Sequence, residues 1–99
     1  MKKSLVLLIS IGLLSLSNQA SAERSGEQVY KSICMSCHMP GVAGAPKPGD
    51  ATAWNARYDG DLEQLLAGAK RGKNVMPPKG SCGNCTDDEL RAAINFMRK

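Results

Sequence analysis

A chain of 99 residues, 42% of them hydrophobic, has room for one small domain. The net charge is only +4, and Lys2 and Lys3 supply half of it, which is no footprint for nucleic-acid binding. Almost nothing beyond the N terminus alternates as a strand does, so the expected fold class is all α, with loops between helices.

The N terminus reads as an export signal. Met1-Lys2-Lys3 is a basic start, residues 5–16 are an apolar run, and Ala20-Ser21-Ala22 is a small-residue cleavage pattern. Cleavage after Ala22 would leave residues 23–99 as one domain. The alternative is a retained anchor, but the apolar run is shorter than the roughly 20 residues a bilayer span needs. No stable membrane span is therefore expected after cleavage. Export also means an oxidising compartment, where free thiols seldom persist.

The first helix is expected over Glu23 to Cys34. Ser25 can cap it, with Gln28 three residues on as in a capping box. Val29 and Ile33 share a face. Gly26, Tyr30 and Cys34 form a second row at spacings of four, where a glycine lets another helix come close. The alternative is that Gly26 belongs to a frayed start.

Cys34-Met35-Ser36-Cys37-His38 follows. Two cysteines separated by two residues, with histidine next, form the attachment signature of c-type haem. The two thiols add to the two vinyl groups of one haem, and the adjacent imidazole can bind the iron. Cys34, Cys37 and His38 are thus the expected haem-holding residues.

Residues 39–50 hold three prolines and three glycines and read as a loop. One of its carbonyls should accept the Nδ1 proton of His38, and Pro46 is the preferred acceptor. Asp50 or Thr52 can start a short helical piece through Trp54 and Arg57. Trp54 reads as a core or haem-edge residue whose indole N–H needs a partner, a haem propionate being one candidate. Arg57 could meet the same propionate as a fork donor, or be a solvated charge.

Asp61 caps a third helix with the apolar stripe Leu62, Leu65, Leu66 and Ala69, ended by Gly72. Leu65, Leu66 and Trp54 are expected to help bury the haem. Residues 73–80 read as extended loop, with Met76 held by the prolines that follow it. Cys82-Gly83-Asn84-Cys85 is turn chemistry compatible with a bridge. Thr86 with Glu89 is the clearest helix start in the chain, and Leu90, Ala93, Ile94 and Met97 form the buried face, with Phe96 at its edge.

The iron's second axial position narrows by elimination. His38 is the sole histidine, so intramolecular bis-histidine ligation is excluded. The site is open or takes methionine, lysine or another weaker donor. Met1 leaves with the signal, Met35 and Met39 adjoin the attachment motif, and Met97 belongs to a helix stripe. Met76 remains, in a proline-stiffened loop.

These residues together resemble the class I cytochromes c, and more narrowly the small bacterial cytochrome c5 family. The resemblance rests on Tyr30, the 34–38 motif, residues 41–47, Trp54, Arg57, Met76-Pro77-Pro78-Lys79-Gly80, Cys82 and Cys85, and covers nearly all of 23–99. It implies three to four helices with crossed terminal helices around one covalently bound haem c, and iron held by His38 and Met76. It also implies a Cys82–Cys85 disulfide, and Gly26 and Tyr30 packed against the last helix near Phe96. The implied function is soluble one-electron transfer in the bacterial periplasm, between redox protein partners: a respiratory donor and an oxidase or reductase acceptor. No enzyme activity is implied.

Two other classes compete. A haem enzyme or gas sensor needs an open sixth site. A four-cysteine zinc module would use Cys34, Cys37, Cys82 and Cys85, but their spacing is far longer than zinc knuckles use. A thioredoxin-like role for Cys82 and Cys85 needs a βαβ setting that this chain lacks. Lys70, Arg71, Lys73 and Lys79 flank Met76, and either steer an acidic partner or keep the loop soluble.

Overall fold

The computed structural model describes residues 23–99; the export signal expected over 1–22 lies outside the described residues. Four helices carry the fold, and among the described residues the sole β-type pairing is the isolated bridge between Lys73 and Met76. No described helix is long and apolar enough to cross a membrane.

Helix α1 spans 26–38. Ser25 caps it as a full capping box: the Gln28 amide donates to Ser25 Oγ at 3.1 Å, and the Ser25 amide donates to Gln28 Oε1 at 2.7 Å. The helix starts at Gly26 rather than Glu23 and runs past Cys34 to His38. Its middle, Tyr30–Cys34, is a π-helical turn in which the Met35 amide reaches back to Tyr30 O. Such a turn inserts one residue into the helical row, so the attachment motif leaves the helix on a different bearing from its first turn.

Helix α2 is Ala51–Asn55, capped by Asp50 through the Ala53 amide at 3.1 Å. Helix α3 is Leu62–Arg71, capped by Asp61 through the Gln64 amide at 2.9 Å. Helix α4 is Asp87–Met97, opened by a Thr86–Glu89 capping box with both bonds at 3.0 Å. Just before that cap, Cys82 and Cys85 are disulfide-bonded and buried, with the Cys85 amide closing the turn onto Cys82 O at 3.1 Å.

The core is where α1, α3 and α4 meet: Val29, Tyr30, Leu65, Leu66, Leu90, Ala93, Ile94 and Met97, with Trp54 and the disulfide. α1 and α4 cross at Gly26. A Cβ there would lie 2.2 Å from Ala92 O and 2.6 Å from Ala92 C, so only glycine permits this approach. One turn on, the rings of Tyr30 and Phe96 meet at 5.2 Å.

A second tie closes the same crossing, and the sequence reading missed it. Glu89 is buried, at 6% exposure, and accepts from the Arg24 amide at 2.9 Å, Arg24 Nε at 3.0 Å and Arg24 Nη2 at 3.1 Å. These bonds, with the Thr86 amide, lower the Glu89 pKa from an ordinary 4.5 to about 2.

Gly26→Ala should destabilise the protein by about 1–3 kcal/mol, the usual cost of forcing extra volume into a tight contact; chemical denaturation measures it. Because the Glu89 pKa is depressed in the folded state, its contribution is full above about pH 4.5 and is lost as pH falls toward about 2. Denaturation midpoints of wild type should therefore fall more steeply across that window than those of Glu89→Gln. Equal slopes would show that this carboxylate does not link stability to pH.

Candidate functional site

α1 ends at His38, which is buried at 8% exposure. His38 Nδ1 lies 2.8 Å from Pro46 O. A carbonyl only accepts, so Nδ1 carries the proton and Nε2 keeps its lone pair. The Trp54 ring stacks on the imidazole, with centroids 5.8 Å apart and planes 17° from parallel. Trp54 Nε1 donates to Lys47 O at 2.9 Å. Two consecutive loop carbonyls therefore fix the two rings, and the backbone between Pro46 and Lys47 couples them.

Trp54 stands in the core beside His38, one of the two places expected for it, and its indole N–H finds its partner in the Lys47 carbonyl. A buried N–H takes the nearest acceptor its ring position allows, and a loop already bent around His38 supplies one. Arg57 does reach the cleft. Its Nη1 donates to Ala53 O at 2.8 Å and its Nη2 to Gly44 O at 3.2 Å, which ties α2 to the loop after the attachment motif.

The cleft has a volume of about 260 Å³. Cys34, Cys37, His38 and Pro46 line it from α1 and its following loop, and Met76, Pro77 and Gly80 line it from the segment after α3. Leu90, Ala93, Ile94 and Met97 supply its apolar lining from α4. Leu65 and Leu66 do not reach it; they belong to the core, and Ala69 is the α3 side chain that lines the cleft. The helical stripe was legible, but which end of it faces the cleft depends on how α3 lies across α4.

Residues 73–80 are not extended as expected. The Lys73 amide donates to Met76 O at 3.0 Å and the Met76 amide to Lys73 O at 2.8 Å, closing a tight turn through Asn74 at φ +55°. A 3₁₀ turn over Pro78–Ser81 follows. Of the basic residues flanking Met76, Lys73 and Lys79 line the cleft, while Lys70 is held by Asp87 at 2.9 Å and Arg71 points to the Tyr58 hydroxyl at 3.5 Å.

Cys34 and Cys37 are the unbonded cysteines of the described residues, and both line the cleft. Burial pushes the Cys34 thiol above its ordinary value. Cys82 and Cys85 are committed to each other, and Thr86, not histidine, follows them. The zinc alternative therefore lacks two of its four ligands.

The donor set fits haem: two unbonded thiols, an imidazole with one nitrogen already committed, and a thioether from a separate loop, around an apolar cleft. Terminal helices crossed at a glycine and a C-x-x-C-H motif opening on that cleft define a class I c-type cytochrome.

Relatives agree. The family described as cytochrome c oxidase, cbb3-type, subunit III matches residues 21–97. Cytochrome c5 of Azotobacter vinelandii is 51% identical over 76 residues, covering 75% of this chain and 92% of that protein. Cytochrome c5 of Ectopseudomonas mendocina is also 51% identical over 76 residues, covering 75% of this chain and 87% of that one. Among solved structures, a mono-haem ferrocytochrome c from Shewanella putrefaciens is 40% identical with a TM-score of 0.69, covering 80% of this chain and 98% of that one. A cytochrome c solved in an electron transfer complex with nitrite reductase is 42% identical with a TM-score of 0.68, covering 74% and 89%. The chain belongs to the cytochrome c5 family of class I c-type cytochromes, small electron carriers with one covalently bound haem c.

Proposed function

We propose that this protein is a periplasmic one-electron carrier whose haem is attached through Cys34 and Cys37 and whose iron is held by His38 and Met76. The observation that carries the reading is that these four side chains, from two distant stretches of chain, line one cleft. Haem bound there supplies a one-electron couple at its iron. Pro46 and Trp54 set the imidazole: the 2.8 Å bond from Nδ1 makes Nε2 the ligating nitrogen and raises its basicity. Arg57 holds the rim of the cleft through Ala53 and Gly44. The apolar side chains of α4 exclude water and lower the local dielectric, which disfavours the extra charge of ferric iron.

Two protein ligands leave no iron position for a substrate, so the protein carries electrons and does no substrate chemistry of its own. Residues 1–22 act as a cleaved export signal, and residues 23–99 work as a soluble domain in the periplasm. Its partners are redox proteins, a respiratory donor and an oxidase or reductase acceptor. The relative captured with nitrite reductase supports that class of partner. No nucleic acid is involved.

Two measurements test the reading. After acid–acetone extraction the polypeptide should keep its colour and weigh one haem more than the bare chain; colour lost to the solvent would remove covalent attachment. The Met76→Ala protein should lose the weak ferric absorption at the red end that reports iron–sulfur bonding, bind carbon monoxide readily and drop in reduction potential. Wild-type protein that binds carbon monoxide at once would instead favour a sensor or enzyme with an open site.

A further inference from the structure

Gly72 stands at the point where α3 hands over to the Met76 segment, and its geometry is unlike that of an ordinary helix stop. Its amide donates to Gly68 O at 2.9 Å, ending the helix. Its backbone then turns to φ +85° and ψ 158°, a region that side chains other than glycine's essentially never enter. The chain reverses at once through the Lys73–Met76 turn, and the following backbone comes back over Gly72. A Cβ at position 72 would lie 2.8 Å from Met76 O, 2.9 Å from Pro78 N and 3.1 Å from Pro77 C. All three are backbone atoms, two of them in proline residues, so no rotamer change relieves the clash.

The same turn is closed by Met76 O accepting from Lys73 N, so displacing that carbonyl breaks the bond that shapes the turn. At the far end of the side chain, Met76 Cε sits 3.4 Å from where a Gly80 Cβ would be. Met76 is thus placed against two glycines, one under its backbone and one beside its methyl group.

We infer that Gly72 is the positioning residue for the Met76 thioether: with no side chain at 72, the 76–78 backbone seats directly on the end of α3, and that seat fixes where the sulfur stands. The inference rests on the reading of Met76 as an iron ligand. A thioether is a weak ligand on a loop, so its bond survives only if the loop offers it few other positions. Gly72 does not line the cleft; it acts through the backbone of Met76.

The test compares three haem-loaded variants. Gly72→Ala should weaken the ferric red-end absorption, raise the rate of carbon monoxide binding by at least about tenfold, and speed hydrogen exchange at the Lys73 and Met76 amides. Ser25→Ala, which removes the cap at the end of α1 away from the cleft, should lose stability while leaving all three readouts at wild-type values. Met76→Ala separates the two claims. If it loses the absorption while Gly72→Ala keeps all three wild-type values, the positioning role is overturned and the ligand survives. If Met76→Ala itself keeps the absorption, both are overturned. Should Gly72→Ala fail to accumulate, hydrogen exchange on the wild-type protein carries the test: the Lys73 and Met76 amides should be as protected as those in the last turn of α3, and exchange as fast as in an open loop would show that the 76–78 backbone has no fixed seat on Gly72 and overturn the proposal.

Discussion

The contact of Gly26 with the backbone at Ala92 sets the frame on which the site is built. α1 carries Cys34, Cys37 and His38 at its far end, and α4 carries the apolar side chains that line the cleft. Arg24 and Glu89 pin the same crossing from outside, and the buried disulfide fixes where α4 begins. In so small a domain these ties matter more than core size, because the apolar area available is modest.

Within that frame, the histidine is oriented by backbone rather than by another charged side chain. Pro46 O takes the Nδ1 proton and Lys47 O takes the Trp54 indole proton, so one bend of the loop aligns an imidazole and an indole that stack on each other. A neutral acceptor leaves the imidazole without an added negative charge beside it.

The methionine side of the cleft is built on different principles. α3 ends at a glycine that the next segment folds back upon, and the turn that presents Met76 is held by two backbone hydrogen bonds. His38 is buried, whereas Met76 is only partly covered and belongs to a segment rich in positive-φ residues. The two ligands proposed for one iron thus sit on unequal supports, a helix end and a seated loop.

What the sequence determined by itself was local. The capping boxes at Ser25 and Thr86 form between residues three apart, so their chemistry is complete in a short stretch of chain. The five-residue attachment motif is equally local, and a single histidine with few free methionines made Met76 the candidate for the second iron ligand by counting. The tertiary structure decided everything that required two remote segments to meet. It gave the Trp54 indole the Lys47 carbonyl, placed Leu65 and Leu66 in the core and Ala69 at the cleft, and brought Arg24 to Glu89. It also folded residues 73–76 into a closed turn over Gly72. A buried donor, an apolar stripe or a buried carboxylate states in sequence only that it needs a partner; which partner it finds is set by the angles at which the helices pack.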